Sequence, residues 1–376
     1  MVLHGDDRRI AVKLAALAAL AALASCAVAE PPGDRLEAID QLMTRYEEYG
    51  LFSGAVLVAE GGEVIYEGAF GDANRELGVP NTVDTRFRIA SISKPFTTIL
   101  VLQLVEEGVL RLDDTIVDHL PDYAGPGRDA ITIEQLLTHT SGIASENAVQ
   151  NLDDIERHTW TRDRLLRHIA GYDLQFEPGS RYAYSNFGYF LLGVIIEEAS
   201  GRSYAELLEE RICGPTGMTH TVIDGNRPII ERRAAGYHYT PELGVHNAPY
   251  LDMSFVFGSG HLLSTVRDLF VWERALRGGE LLSEDHTAYM LDADAREDRL
   301  GSSRRDVAVF RYGGSINGFL CSTHSYVEDD RFVAVLSNVK DRGGDTLPST
   351  FDVARNIAAI LYGVRYEMPE RPDARE

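Results

Sequence analysis

Segments with the composition of β-strands lie at both ends of this 376-residue chain, and helical patterns fill the middle. Near the start, two apolar segments flank Gly61-Gly62, which predicts a β-hairpin. Near the end, β-branched and aromatic residues predict strands over 307–312, 319–326 and 332–337. Length alone, at about 150 residues per domain, allows two domains. The order of elements instead predicts one α/β domain with a helical insertion.

Helices are predicted from apolar periodicity and from capping residues. Thr132 and Gln135 have the spacing of a capping box, which predicts that a short helix opens there. The other predicted helices follow the N-cap Asp34 as far as Gly50, cover 94–107 and 186–201, and run from about 347 to Gly363.

Composition and missing motifs exclude several classes of protein. The chain has 58 acidic and 36 basic residues and a formal charge of −22, so it lacks the basic surplus that nucleic acid binding requires. Its eleven histidines show no metal-ligand spacing, and no nucleotide-binding glycine motif is present. We therefore expect neither a metal nor another cofactor.

Lysine is rare in this sequence, where it occurs only as Lys13, Lys94 and Lys340. Arginine stays protonated under working conditions, so only a lysine can exchange a proton as an amine. The candidates for amine acid–base chemistry are therefore few.

The first residues resemble an export signal. Basic residues precede an apolar run over 14–24, which is too short to span a bilayer as a helix. The run ends in Leu-Ala-Ser-Cys26, a pattern similar to the lipobox at which bacterial lipoproteins are cleaved and lipidated. Ala27-Val28-Ala29 offers a competing, ordinary cleavage site. Both alternatives predict an exported chain in the periplasm or cell envelope, and the first adds a lipid anchor at Cys26.

Two further cysteines, Cys213 and Cys321, lie in the exported part of the chain. An oxidising compartment would allow them to pair, and two buried thiols are an equally good interpretation.

Ser91 and Lys94 are three residues apart at the start of the predicted helix 94–107. Such residues share one face of a helix. Free N–H groups at the helix N-terminus favour developing negative charge on the serine, and the lysine can stabilise the alkoxide or relay its proton. Ser337 and Lys340 have the same spacing, but Ser337 ends a predicted strand, where residues three apart point to opposite faces.

Tyr184-Ser185-Asn186 lies at the start of another predicted apolar helix. Near a lysine ammonium, the pKa of a phenol falls below its usual value of about 10, and the phenol can exchange protons with a serine. The asparagine amide can hold a substrate carbonyl or orient the lysine. Ser-x-Asn patterns also occur at 145–147 and 315–317, so ordinary loop hydrogen bonds remain an alternative.

Tyr312-Gly313-Gly314-Ser315 lies at the end of a predicted strand. The glycines allow a substrate to approach the backbone closely. A strand N–H here can complete an oxyanion hole with that of Ser91.

These motifs resemble the class C β-lactamase-related serine hydrolases of the serine β-lactamase and penicillin-binding-protein superfamily. The similarity covers about residues 34–362, with matching order and spacing. It rests on the segments 87–94, 133–142, 176–179, 184–189, 263–265 and 267–269. The resemblance implies an α/β (α+β) fold in which helices flank an antiparallel sheet, with a helical subdomain at about 100–225.

The resemblance also implies an acyl-enzyme mechanism, with Ser91 as nucleophile and Lys94 and Tyr184 sharing its proton. Asn186, Tyr312 and Gly314 are implied to contact the substrate. The N–H groups of Ser91 and Ser315 are implied to form the oxyanion hole.

The third motif departs from the family pattern. Class C β-lactamases resemble one another in having Lys-Thr-Gly there, and related peptidases have His-x-Gly, where this chain has Tyr312-Gly313-Gly314. A tyrosine supplies no fixed positive charge for a substrate carboxylate, and the adjacent Arg311 should face the other side of the sheet. The departure favours an esterase, or a peptidase acting on uncharged termini.

Neither of two histidines near the motifs is predicted to be catalytic. His139 is predicted to be a packing residue beside a helix end, and His261 a surface residue rather than part of the cleft.

The predicted organisation is a signal peptide (1–25), a linker (26–33), a hydrolase domain (34–363) and a tail (364–376). The predicted function is cleavage of an ester or amide in a small molecule or peptide. The first alternative is a true β-lactamase or D,D-carboxypeptidase. The second is a non-catalytic envelope binding protein on the same fold. The oligomeric state is left open.

Overall fold

The computed structural model describes residues 28–29, 34–146, 149, 151–300, 305–343 and 346–371. The predicted signal peptide, Cys26, most of the linker and the last five residues of the predicted tail lie outside this range. Within it, no helix combines the length and the apolar character needed to cross a membrane.

Most helices of the described residues lie in the middle of the chain, and one lies near each end. They are α1 (Arg35–Glu48), α2 (Ser93–Glu106), α3 (Ile116–His119), α4 (Ile133–Leu137), α5 (Leu152–Ile155), α6 (Arg162–Ala170), α7 (Asn186–Ser200), α8 (Tyr204–Leu208), α9 (Gly214–Thr216), α10 (Val266–Arg277), α11 (Glu284–Asp294) and α12 (Thr350–Leu361).

The strands of the described residues form one large sheet and several small ones. They are β1 (Val28–Ala29), β2 (Gly54–Glu60), β3 (Glu63–Phe70), β4 (Asp72–Asn74), β5 (Val79–Pro80), β6 (Phe87–Arg88), β7 (Val222–Ile223), β8 (Tyr237–Thr240), β9 (Gly244–Asn247), β10 (Leu262–Ser264), β11 (Ala295–Leu300), β12 (Arg305–Ile316), β13 (Phe319–Tyr326), β14 (Arg331–Ser337), β15 (Val339–Asp341) and β16 (Tyr366–Glu367).

The large sheet has the order β11-β12-β13-β14-β2-β3, and every neighbouring pair is antiparallel. It joins the N-terminal hairpin to the C-terminal strands through the pairing of β2 with β14. The hairpin turn at Gly61-Gly62 has φ values of +61° and +80°, as a type I′ turn requires. The predicted antiparallel α/β (α+β) fold is therefore confirmed.

Both faces of this sheet are buried. Alternate residues of β2 point to opposite sides, so Leu57 joins one hydrophobic cluster and Val58 the other. On the Val58 side, α1 and α12 cover the sheet with residues such as Ile39 and Ile357. On the Leu57 side lie α10 and the helices of the chain's middle, so the candidate site residues lie on this side.

Helix α2 is the central helix of that second layer, with its residues from Ser93 to Leu102 all buried. Helix α7 packs beside it. Ser185 caps α7 by accepting from the Gly188 N–H, and Gly201 ends it with φ +66°, so its predicted limits hold within one residue.

Cys213 and Cys321 are both free and buried. Burial raises the pKa of each thiol to about 12, so both stay protonated at neutral pH. The structure therefore agrees with the second interpretation of Cys213 and Cys321, which is a pair of buried thiols.

Candidate active site

Ser91 lies in a short 3₁₀ turn, Ala90–Ile92, that leads directly into α2. The preceding residue, Ala90, has φ +49°, a left-handed conformation that costs a residue with a Cβ of order 1 kcal/mol or more. The backbone of Gly314 packs against Ile89 and Ala90 and holds this turn from the sheet side. The turn thus places the Ser91 hydroxyl beside α2, facing a cavity.

Lys94 occupies the first turn of α2 and is buried. Its Nζ lies 3.3 Å from Ser91 Oγ, 2.6 Å from Asn186 Oδ1 and 2.8 Å from the Ser259 carbonyl oxygen. Burial lowers the pKa of Lys94 to about 7, and the negative charge of Glu146 partly opposes this change. A large fraction of Lys94 is therefore neutral near pH 7.

Tyr184 also contacts Ser91, and its hydroxyl donates to Ser91 Oγ over 2.7 Å. Lys94 Nζ lies 4.7 Å from the centre of the phenol ring. Although the residue is 41% exposed, the protein packed around its hydroxyl raises the pKa of Tyr184 above the usual value. The predicted lowering of this pKa is wrong because desolvation of the phenolate raises the pKa, and the negative charge of Glu146 raises it further.

Asn186, the first residue of α7, lies between two groups. Its Oδ1 accepts from Lys94, and its Nδ2 donates to Glu146 Oε1 in a short hydrogen bond. The structure therefore brings Ser91, Lys94, Tyr184 and Asn186 together, as their motifs predict. Glu146 was not predicted from the sequence, although it lies between the ends of the Ser-x-Asn pattern at 145–147.

The third motif runs along β12 beside the Ser91 turn. The Tyr312 ring packs 5.6 Å from that of Trp272 on α10, and Arg311 points to the other face, with its guanidinium 5.9 Å from the Phe351 ring of α12. The opposite orientations of Tyr312 and Arg311 agree with the prediction from strand geometry.

Replacing Gly314 with alanine should disable the site, since a Cβ at this position would lie 2.1 Å from the Ile89 carbonyl oxygen. This backbone atom can move only if the Ser91 turn moves. We expect kcat/KM for an ester substrate to fall about 100-fold, the loss that follows removal of an oxyanion donor.

Gly313→Ala is the matched control for this prediction. Its Cβ would contact the Phe351 side chain at 2.4 Å, on the other face of the strand. Melting temperatures of both variants should fall, whereas the loss of kcat/KM should be much larger for Gly314→Ala. Equal losses of activity would contradict the close approach assigned to Gly314.

A cavity of about 660 Å³ opens on the Tyr184 side of Ser91. Tyr312 forms part of its wall, and Arg311 and Arg355 also border it. Arg311 reaches this cavity even though it starts from the opposite face of β12. The inference that Tyr312 leaves this side of the site without positive charge is therefore too strong.

A smaller cavity, of about 190 Å³, opens on the Asn186 side of Ser91. Ser315 borders it, as do the acidic residues Glu146 and Glu156. Lys340 also borders it, so this lysine lies near the site although its chance Ser-x-x-Lys match is not a catalytic pair. The hydroxyl of its partner in that match, Ser337, instead lies 3.0 Å from each of two carbonyl oxygens, those of Ser53 and Val339, and can donate to either.

His139 packs beside Tyr184 and forms part of the wall of the large cavity. Its Nδ1 accepts from the Ser185 N–H over 3.2 Å, and its ring lies 4.5 Å from that of Tyr184. Burial and the nearby Lys94 lower the pKa of His139 to about 3, so it is neutral at working pH. This environment agrees with the predicted packing role.

His261 is only 2% exposed, so its prediction as a surface residue is wrong. Its Nδ1 accepts from the Gly258 N–H over 3.1 Å, and its ring lies 4.8 Å from that of Tyr204. It is buried because it directly precedes β10, which pairs on both sides within its small sheet. The glycine-rich sequence around it gave no sign of that pairing.

Comparison with known proteins decides the family. A family model described as Beta-lactamase matches residues 37–347, most of the chain. The chain belongs to the beta-lactamase family. One relative is Penicillin-binding protein 4* of Bacillus subtilis, which is 30% identical over 368 residues. The match covers 88% of this chain and 78% of the relative's chain. Another, Esterase EstB of Burkholderia gladioli, is 35% identical over 218 residues, which is 54% of each chain.

Solved structures of the beta-lactamase family support the fold. A penicillin-binding protein from Bacillus halodurans has a TM-score of 0.70 at 26% identity, covering 85% of this chain and 99% of its own. A D-amino acid amidase from Ochrobactrum anthropi has a TM-score of 0.74 at 23% identity, covering 88% and 99%, which at this identity bears on the fold alone. The chain is a serine hydrolase of the beta-lactamase family. The described residues contain no cluster of His, Cys, Asp or Glu side chains that could hold a metal ion.

Proposed function

We propose that the protein is an exported hydrolase that cleaves an ester or amide through an acyl-enzyme on Ser91. The observation that carries this proposal is the position of Ser91 Oγ between Lys94 Nζ, at 3.3 Å, and the Tyr184 hydroxyl, at 2.7 Å. A nucleophile, a group that can accept its proton and a group that can donate one are thus within reach of one another.

The hydrogen bonds of Lys94 are ones that a neutral amine acting as the base can make. A neutral amine has two N–H bonds and one lone pair, whereas an ammonium has three N–H bonds and no acceptor. Asn186 Oδ1 and the Ser259 carbonyl oxygen each accept one hydrogen bond from the amine. The lone pair then faces the third neighbour, Ser91 Oγ, and can take its proton.

The proposed reaction follows from these proton positions. Lys94 takes the Ser91 proton as Oγ forms a bond to the substrate carbonyl carbon, and the N–H groups of Ser91 and Ser315 stabilise the oxyanion. Tyr184 gives its proton to the departing alcohol or amine as that bond breaks, and the Lys94 ammonium restores it. In the second half of the reaction, Lys94 takes a proton from water as the water attacks the acyl carbon. Tyr184 returns a proton to Ser91 Oγ as that bond breaks, which releases the acid and regenerates Ser91.

The raised pKa of Tyr184 and the lowered pKa of Lys94 support this division of roles. Groups whose environments move their pKa values apart are suited to act as acid and base. Tyr184 remains a neutral phenol and can donate a proton, while Lys94 loses its charge near neutral pH and can accept one.

Short acyl esters, or peptides with uncharged termini, are the proposed substrates, with Tyr312 and Gly314 bordering their path beside Ser91. A hydroxyl in place of the lysine or histidine of the third motif supports this choice. Arg311 and Arg355 at the large cavity favour a second candidate, a β-lactamase or D,D-carboxypeptidase that binds a substrate carboxylate.

One substrate panel tests these proposals: p-nitrophenyl esters of increasing acyl length, nitrocefin and a D-Ala-D-Ala peptide, each with wild type and Ser91→Ala. We expect Ser91-dependent turnover that is highest for short esters. Preferred turnover of nitrocefin or of the peptide would support the second candidate. A wild type that neither turns over nor is acylated by any of these compounds would support the non-catalytic envelope binding protein.

We also propose that the chain is anchored to a membrane by lipid at Cys26. The lipobox-like sequence supports the anchor, and the ordinary cleavage site after Ala29 is the alternative. Mass spectrometry of the processed N-terminus should find a lipidated Cys26. An unmodified N-terminus at residue 30 would contradict the anchor.

A further inference from the structure

Glu146 lies on the Asn186 side of the site, where it borders the same small cavity as Ser91. One carboxylate oxygen, Oε1, accepts the short hydrogen bond from Asn186 Nδ2. The other, Oε2, is buried and has no hydrogen-bond partner among the described residues. A buried carboxylate is costly unless it is paired, so its position here calls for an explanation.

The amide of Asn186 can face its two neighbours in either of two orientations. An ionised carboxylate only accepts hydrogen bonds, so Nδ2, the donating end of the amide, must face Glu146. Oδ1 is then directed to Lys94, at 2.6 Å. With the amide reversed, two acceptors would face each other at Glu146, and the amide nitrogen would compete with Ser91 for the lone pair of the Lys94 amine.

We propose that Glu146 is a positioning residue, which fixes the orientation of the Asn186 amide and so keeps the Lys94 amine directed at Ser91. This inference rests on the proposed function, in which Lys94 is the base. Glu146 acts through Asn186 and takes no proton from substrate. Its charge also makes the site more negative, which favours a proton on Lys94.

The surroundings of Lys94 make this effect of charge measurable. The titratable groups that face its amine are the phenols of Tyr184 and Tyr189, the imidazole of His139 and the Glu146 carboxylate. The Tyr184 phenol and the His139 imidazole are neutral near pH 7, because the pKa of the first is raised and that of the second is lowered. Glu146 is therefore the negative charge whose removal should make Lys94 easier to deprotonate.

The test compares wild type, Glu146→Gln and Glu146→Asp, with Glu156→Gln as the matched control. Glu156 borders the same cavity, but its carboxylate accepts from Asn317 rather than Asn186. Two rates are measured from pH 5 to 9: kcat/KM for p-nitrophenyl butyrate, and labelling of Ser91 by a fluorophosphonate. The labelling rate reports the nucleophile without requiring turnover.

Glu146→Gln should lower the maximal rates about 10-fold, since the new side-chain amide can present either its oxygen or its nitrogen to Asn186. Its rate–pH profile should also move about one pH unit toward acid, because loss of the negative charge favours the neutral amine. Glu146→Asp, which keeps the charge, should stay near the wild-type midpoint, and so should Glu156→Gln. Unchanged melting temperatures would separate these effects from unfolding.

Two results would overturn the inference while leaving the proposed function intact. One is an unchanged midpoint and maximal rate in Glu146→Gln. The other is a loss confined to substrates that carry a free amine, with no change in midpoint, which would make Glu146 a substrate-binding group. Absence of Ser91 labelling in the wild type would overturn the proposed function and this inference together.

Discussion

Lys94→Arg should lower kcat/KM for the best ester about 1,000-fold while the protein remains folded, because general-base catalysis of this kind contributes roughly 10²–10⁴-fold. Arginine keeps the positive charge of a protonated lysine, but it does not give up its proton at working pH. It therefore cannot accept the proton of Ser91. The substitution separates a base from a fixed charge.

Lys340→Arg is the matched control, since it makes the same change at the other lysine of the described residues, beside the small cavity but not hydrogen-bonded to Ser91. It should reduce kcat/KM far less than Lys94→Arg. Kinetics and melting temperatures of both variants check this. Turnover near the wild-type level in Lys94→Arg would mean that Lys94 acts only as a fixed charge.

The pH dependence of the wild type follows from the same base. Burial lowers the pKa of Lys94 to about 7, and the deprotonated amine is the active form. Activity should therefore be low well below this pKa, rise as pH increases through it, and reach half its maximum near pH 7. A profile of kcat/KM against pH measures this midpoint. A midpoint near about 10, the value for an ordinary lysine, would contradict the neutral amine.

Ser91→Ala should abolish acylation and reduce turnover to the background rate, a loss of about 10⁴-fold or more by analogy with other nucleophile replacements. A methyl group has no lone pair for attack. The nearby Ser93 cannot substitute, because it is buried and its Oγ accepts from the Leu262 N–H over 3.2 Å.

Ser93→Ala serves as the matched control for Ser91→Ala. It removes a hydroxyl two residues away and leaves the Leu262 N–H without this partner, so it should lower the melting temperature. It should still be acylated. Turnover of the ester panel and thermal melts of both variants provide the comparison, and persistent turnover in Ser91→Ala would rule out Ser91 as the nucleophile.

Much of the fold could be predicted because its signals are local. The capping box of Thr132 and Gln135, the turn at Gly61-Gly62 and the apolar composition of β2 each depend on neighbouring residues. The proximity of Ser91 and Lys94 is also local, since both lie in the same turn of chain. That Tyr184 and Asn186 would join them followed only from resemblance to a family.

The remaining features depend on contacts between distant parts of the chain. The Ser259 carbonyl that holds Lys94 carries no side-chain signal, because any residue type supplies such an oxygen. Glu146 was missed since an acidic residue in a loop has no distinctive spacing. The pKa of Tyr184 was misjudged because burial, which raises it, outweighs the nearby amine, and burial appears only in the folded chain. His261 was misplaced for the same reason.

The most direct test of this account is to locate the covalent adduct. Wild type and Ser91→Ala are treated with a fluorophosphonate, and separately with the best ester of the panel under rapid acid quench. Intact-mass measurement and peptide mapping then identify the modified residue. The account predicts one adduct per wild-type chain, on Ser91, and none in Ser91→Ala. An adduct of equal yield in both proteins, or one on any other residue, would contradict it.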